Sequence, residues 1–264
     1  PQTFDAARVD LPILNKVDFT AVYLVSRQGV LDKLSTDPFE YKPFNHSWLL
    51  HASLNPIKGV NVALYSYNLK MNSDTYGANV HGSIPFKGGQ IGYWTEYAYQ
   101  IVHTDTVDDT ASYYHLEANF KKPLRSFQTF VNVGYEHFDQ HFITPLATLH
   151  KFNGWADVFL KYTASSDTYG LNDAYISLGV GNRLIGKISG TYHYFTSDKD
   201  FSNGGDKFGN EVDLLWTKKL KKNLSLLVKF AKYNANGDAA YAGVGDKDTT
   251  KFWVMLNFGW STSY

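Results

Sequence analysis

The feature that most constrains this chain is a hydrophobic period of two that recurs along almost its whole length. Phe252, Val254, Leu256, Phe258 and Trp260 alternate with Trp253, Met255, Asn257 and Gly259. Leu224, Leu226, Val228 and Phe230 alternate with Ser225, Leu227, Lys229 and Ala231, and Val212, Leu214 and Trp216 oppose Glu211, Asp213 and Thr217. Upstream, Tyr114, Leu116, Ala118 and Phe120 oppose Tyr113, His115, Glu117 and Asn119, and Val17, Phe19, Ala21, Tyr23 and Val25 oppose Asp18, Thr20 and Ser26. A helix would scatter these apolar residues around its circumference, whereas a strand gathers them on one side. Read this way, the chain holds about thirteen strands of the roughly ten-residue length that crosses an outer membrane. They fall near 6–12, 16–26, 47–54, 59–70, 75–85, 90–103, 112–121, 126–138, 174–182, 186–197, 209–219, 223–234 and 250–260.

The connections alternate in length. Short ones run from Pro12 to Lys16, Asn55 to Lys58, Phe86 to Gly89, Lys122 to Arg125, Arg183 to Ile185 and Leu220 to Lys222. Long ones run from Arg27 to Asn45, Thr104 to Thr110, Asp139 to Asp173, Asp198 to Phe208 and Ala235 to Thr249. Met71 to Asp74 is the exception, short where a long one is due. Charge follows the same rhythm. The short turns are basic (Lys58, Lys87, Lys122, Arg125, Arg183, Lys221, Lys222) and the long loops acidic (Asp105, Asp108, Asp109, Asp198, Asp200, Asp206, Asp238, Asp246). Short turns at one end and long loops at the other mark an all-β, antiparallel up-and-down transmembrane barrel. A large soluble all-β domain has no reason to keep that rhythm.

Composition narrows the field further. Aromatic residues make up 16% of the 264-residue chain and charged residues 19%, so the sequence is too aromatic for disorder and less charged than an ordinary soluble domain. No apolar run approaches the twenty or so residues of a membrane helix. The absence of cysteine removes disulfide frameworks, thiolate metal sites and cysteine nucleophiles. Equal numbers of basic and acidic residues, 25 each, leave no bulk field to draw nucleic acid. The start at Pro1-Gln2-Thr3 lacks a charged and apolar leader, which the reading takes as a signal peptide already removed.

Strand parity adds an expectation. If the short turns are periplasmic, strands one and thirteen both run inward, whereas single-chain bacterial barrels have an even number of strands. The chain therefore reads as the C-terminal portion of a larger barrel, the alternative being a self-closed barrel with one strand miscounted. Specific segments carry a resemblance as well. Pro1-Gln2-Thr3-Phe4-Asp5-Ala6, Ser73-Asp74-Thr75-Tyr76-Gly77, Thr144-Pro145-Leu146-Ala147-Thr148-Leu149-His150 with Gly154-Trp155-Ala156-Asp157, Lys222-Asn223-Leu224-Ser225-Leu226 and Asp248-Thr249-Thr250-Lys251-Phe252-Trp253 are similar to the alginate-export family of outer-membrane proteins. That resemblance implies a single-chain barrel of about eighteen strands and passive movement of solute across the outer membrane, without implying alginate as the solute.

Alternation assigns a lumen. The inward charges are Arg8, Lys187 and Lys229 against Asp10, Asp18, Glu96, Glu117, Glu136, Glu211 and Asp213. A channel for a polyuronate needs a strongly basic wall, and this mixture is not one. Inward Tyr65, Tyr67, Trp94, Tyr113 and Tyr175 offer a surface on which sugar rings can stack, whereas Tyr192, Tyr194, Trp216, Trp253 and Trp260 suit girdles at the lipid–water boundaries. The connection 139–173 carries Phe142, Leu146, Leu149, Phe152, Trp155, Phe159 and Leu160, too apolar to float free. It is expected to fold into the barrel and narrow the pore, with Phe142, Leu146, His150, Trp155 and Asp157 in the constriction and a short helix around Gly154 to Leu160. The alternative is an outer cap.

The remaining motifs are weaker. His137, Asp139 and His141 alternate at a strand end in a way that permits metal ligation but more often marks interfacial polar residues, so no metal is assigned. Asp198, Asp200 and Ser202 begin like a calcium loop without its Gly and Glu, and the run from Gly237-Asp238 to Asp248 is equally loose, an opportunistic divalent ion being the most that either implies. Gly179, Gly181 and Gly186 open no helix and serve strand curvature and a tight turn. No hydrolase elbow or metalloprotease motif occurs, so no catalytic residue is assigned. The expectation is a monomeric outer-membrane porin without a cofactor, contacting lipid and lipopolysaccharide and passing small or oligomeric solutes, carbohydrate or acidic polysaccharide among them. A closed barrel serving as scaffold or sheath is the alternative.

Overall fold

The computed structural model describes residues 3–13, 17–28, 47–70, 72–104, 107–144, 146, 153–159 and 169–259. Expectations placed on Lys16, the connection 29–46, Met71, Asp105, Leu149, His150, Phe152, Leu160 and Trp260 lie outside these residues. The strands are β1 (Thr3–Ile13), β2 (Val17–Gln28), β3 (Ser47–Ile57), β4 (Val60–Leu69), β5 (Ser73–Phe86), β6 (Gly89–His103), β7 (Asp108–Leu124), β8 (Phe127–Phe138), β9 (Leu171–Asn182), β10 (Gly186–Thr196), β11 (Lys207–Lys221), β12 (Leu224–Ala235) and β13 (Thr249–Phe258). They form one 13-stranded sheet in sequence order, each antiparallel to the next. The period-two reading located every one of them. The largest boundary differences are extensions, as at β7, which begins at Asp108 rather than residue 112.

The sheet is inside-out relative to a soluble protein. Along one face run cross-strand neighbours such as Val133, Ile176, Tyr192 and Val212. Ile176 and Tyr192 are each 44% exposed, Leu214 48% and Phe252 65%. The opposite face carries Glu136, Asp173, Glu211 and Asp213, all buried. An apolar face of this extent without a covering layer is stable only against a medium without hydrogen-bonding demands. Backbone groups are satisfied between strands, as a lipid-facing sheet requires.

The sheet also curls around its polar face. In a flat sheet β1 and β8 would lie about 34 Å apart, yet Arg8 of β1 and Glu136 of β8 line a single cavity of about 640 Å³. Register shifts between Asp5 and Ala6, Leu54 and Ile57, Phe195 and Thr196, and Lys219 and Lys221 add local bends. Among the described residues no ladder joins β1 to β13, so both are edges.

Close backbone approach matters at the β3–β4 turn. The Gly59 carbonyl accepts from the Ser83 N–H at 3.1 Å and from the Tyr93 hydroxyl at 3.1 Å. A Cβ on Gly82 would sit 1.9 Å from that oxygen. Backbone cannot yield as a side chain can, so Gly82→Ala is expected to lower stability by about 1–3 kcal/mol. Urea unfolding of the protein in lipid vesicles, with an unchanged midpoint counting against the close approach, measures it.

Two expectations are corrected here. Residues 153–159 form successive turns rather than a helix, because Asn153, Gly154 and Asp157 all have positive φ (56°, 83° and 57°). Trp253 pairs with Lys229 and packs with the buried cluster on the polar side, so it is no girdle residue. Trp216, Tyr192 and Tyr194 do lie on the exposed apolar face.

Candidate functional site

The site is the polar face where described parts of the β8–β9 connection, residues 139–144, 146 and 153–159, lie against it. Glu211 and Asp213 alternate with apolar Val212 and Leu214 on β11, which sends both carboxylates inward, where they are 0% and 1% exposed. Buried carboxylates need donors, and the connection supplies backbone ones. The Ala156 N–H donates to Glu211 Oε1 at 2.7 Å and the Trp155 N–H to Asp213 Oδ2 at 3.2 Å. Gly154 makes this approach possible, since a Cβ there would lie 2.5 Å from Glu211 Oε2 and its φ of 83° disfavours any side chain. The Asn153 amide donates to Glu136 Oε2 at 2.9 Å.

Other contacts fasten the same segment on both sides. Lys251 on β13 reaches Asp157 Oδ2 at 2.6 Å, and the Lys229 ammonium lies 4.5 Å from the centre of the Trp155 ring. Phe159 is buried among Phe195, Phe208 and Tyr233, with ring centroids 4.8, 5.1 and 6.1 Å away. Earlier in the connection, Gln100 both donates to and accepts from the backbone of Ile143, at 3.0 and 2.8 Å. Phe142 stacks on Tyr113 at 5.4 Å, and Leu146 packs against Leu24 and Leu69. His150 lies outside the described residues.

Beside this segment the polar face carries aromatic–carboxylate pairs. Glu96 accepts from the Tyr65 hydroxyl at 2.6 Å and the Trp94 indole at 3.0 Å. Glu136 accepts from Tyr113 at 2.6 Å, and Glu117 from Tyr175 at 2.7 Å and Asn132 at 3.0 Å. Tyr65 and Tyr67 stack at 4.9 Å and line the 640 Å³ cavity with Glu96, Tyr113, Glu136 and Phe142.

The remaining inward charges are spread more widely. Arg8 and Asp10 form an exposed ion pair at 2.9 Å on β1, Asp18 is exposed on β2, and Lys187 lies 4.9 Å over the Phe130 ring. Each of the charges assigned to the lumen from sequence stands on the polar face, and Arg8, Glu96, Glu136, Glu211, Asp213 and Lys229 are gathered around the cavity and the inward segment.

Sequence reasoning missed Asp173, which accepts from His193 at 2.8 Å and lies on the same buried wall. It also missed Asn153, Gln100 and Lys251. The strand alternation of Asp173, Tyr175 and Ser177 is the signal that would have found the first. Nothing in the sequence marks Asn153, whose partner Glu136 precedes it by 17 positions. The expected grouping of His137 and Asp139 with His141 is also corrected. His141, with φ 70°, turns away to Asp109 at 3.1 Å, and Asp198 stands with the other two instead.

An inside-out, curled antiparallel sheet with residues 153–159 seated on its polar face is the fold of an outer-membrane β-barrel. Solved structures agree. The chain is similar to Pseudomonas aeruginosa OccK10 (OpdN), with a TM-score of 0.71 at 10% identity over 100% of this chain and 74% of that one. It is similar to P. aeruginosa OpdL, with a TM-score of 0.67 at 11% identity over 97% and 72% of the two chains. It also resembles the P. aeruginosa outer membrane protein OprD, with a TM-score of 0.65 at 14% identity over 95% and 67%. Thirteen strands spread over about 70% of these chains correspond to an 18-stranded barrel. No family model matches the chain, and no curated protein matches it. The comparisons thus support the barrel fold of OprD-type channels and not the alginate-export family itself.

Proposed function

We propose that this chain forms most of the wall of a bacterial outer-membrane channel for passive passage of small, hydroxyl-rich solutes, cations being preferred over anions. The observation that carries the reading is the inverted sheet: an exposed apolar face opposite a face of buried carboxylates and tyrosines. Lipid suits the first and a water-filled lumen the second. The unpaired edges of β1 and β13 cannot face hydrocarbon, so further strands close the barrel, in keeping with the length of the OprD-type channels. The connection 139–173 acts as the constriction, because residues 153–159 sit on the lumen wall. Glu96, Glu136, Asp173, Glu211 and Asp213 outnumber Arg8, Lys229 and Lys251 around it, which disfavours a polyanion such as an acidic polysaccharide and suits uncharged sugars able to stack on Tyr65 and Tyr67.

Single-channel recording of the full-length protein in a planar bilayer under a salt gradient tests this. Discrete steps with a reversal potential of cationic sign are expected. An anionic sign would overturn the selectivity. Silence from folded protein would overturn the channel and leave a plugged or scaffold barrel.

A further inference from the structure

At the loop end of the sheet, His137 at the end of β8, Asp139 just beyond it and Asp198 after β10 bring three ligand atoms within 4.8 Å of one another. We propose that these side chains form a binding site for a zinc-type divalent cation that pins the base of the inward connection to the β10–β11 loop.

The hydrogen bonding around His137 sets up the site. The Asn172 amide donates to the Ser197 carbonyl at 2.9 Å, and a carbonyl can only accept, so Asn172 Oδ1 must face the other way. That oxygen accepts from the Tyr135 hydroxyl at 2.8 Å and lies 2.6 Å from His137 Nδ1. Nδ1 therefore carries the hydrogen. In the neutral ring this leaves the lone pair on Nε2, which points at Asp139 Oδ1 from 2.8 Å. A lone pair facing a carboxylate oxygen is repulsive unless positive charge lies between them, as a proton on Nε2 or a metal ion. An imidazole whose Nδ1–H is held by an oxygen while Nε2 is presented is the usual arrangement of a metal-ligating histidine.

The carboxylates favour the metal. Asp139 Oδ2 is held by the Ser112 N–H at 2.7 Å, which leaves Oδ1 turned toward His137. Asp198 is positioned by its own N–H, which donates to the Tyr169 carbonyl at 2.8 Å. Two carboxylates beside one imidazole hold more negative charge than a single proton offsets, and a divalent ion would meet that charge in place of the Lys199 ammonium. The Lys199 ammonium, 2.9 Å from Asp198 Oδ2, is on the solvent side, its side chain 58% exposed. One nitrogen and two oxygen donors suit a first-row ion such as Zn²⁺, with water completing the shell, and not Ca²⁺ or Mg²⁺, which take oxygen ligands alone. The site does not depend on conduction, since it lies at the loop end and outside the cavity lining.

Zn²⁺ titration of the complete folded protein by calorimetry, with Co²⁺ as a spectroscopic probe, tests the assignment. One saturable site is expected, with visible Co²⁺ bands of low-symmetry nitrogen–oxygen coordination. Asp198→Asn and His137→Gln should each weaken binding by about tenfold or more, and His141→Gln, which touches Asp109 instead, should leave it unchanged. Asp198 stands in a loop, so its replacement keeps the fold even if that of His137 does not. Absence of saturable binding, or unchanged affinity in Asp198→Asn, would overturn the proposal.

Discussion

Replacing Phe159 by alanine is expected to raise single-channel conductance severalfold. Phe159 is 2% exposed and inserts between Phe195, Phe208 and Tyr233, three rings from β10, β11 and β12. Emptying such a site costs about 3–5 kcal/mol. That cost falls on docking of the inward segment and not on the strand ladders, so the docked-to-released ratio should drop by about two to four orders of magnitude. The polar contacts that remain, among them Asn153 to Glu136, Ala156 to Glu211, Trp155 to Asp213 and Lys251 to Asp157, then hold a segment without its apolar anchor. The measurement is paired with urea unfolding of the same variant. Unchanged conductance in a barrel of unchanged unfolding midpoint would show that residues 153–159 do not limit the pore.

The second large effect concerns charge. Glu96→Gln together with Glu136→Gln should move the reversal potential toward zero, with cation preference reduced about fivefold. Two carboxylates about 8 Å from a passing ion in a water-filled lumen each contribute about 0.5 kcal/mol, and together they account for that factor. The replacements keep shape, and Tyr65 and Tyr113 can still donate to the remaining carbonyl oxygen of each amide, whereas the Trp94 and Asn153 donors lose their acceptor. A reversal potential that stays in place would mean that ions pass elsewhere, or that other wall charges set selectivity. High salt should reduce the difference between variant and parent, because screening shortens the reach of each carboxylate.

The strands and the faces of this protein were legible in the sequence for a simple physical reason. A strand sends neighbouring side chains to opposite sides, so Val212 and Leu214 outward and Glu211 and Asp213 inward follow from order alone. The same rule placed β7 around Tyr113 to Phe120 and separated Tyr65 and Tyr67 from exposed Leu64. Trp253 shows what happens when residue type is allowed to outweigh position. An amphipathic tryptophan ring suggested a girdle, but its parity with Lys229 puts it on the polar face. The helix expected at Gly154 to Leu160 failed for another reason: the apolar residues there are spaced to fit pockets on other strands, and their backbone follows the positive φ values of Asn153, Gly154 and Asp157.

What the sequence determined by itself is therefore everything set by local alternation: an all-β meander, the thirteen strands of the described residues, the short and long connections, and which side chains share a face. Only the tertiary structure decided which of those side chains meet. Asn153 with Glu136, Ala156 with Glu211, Lys251 with Asp157 and Asp198 with His137 and Asp139 come from distant parts of the chain. Their proximity depends on how far the sheet curls and where a long connection folds back. Neither is encoded in a two-residue period, because curvature and loop docking are set by packing summed over many strands.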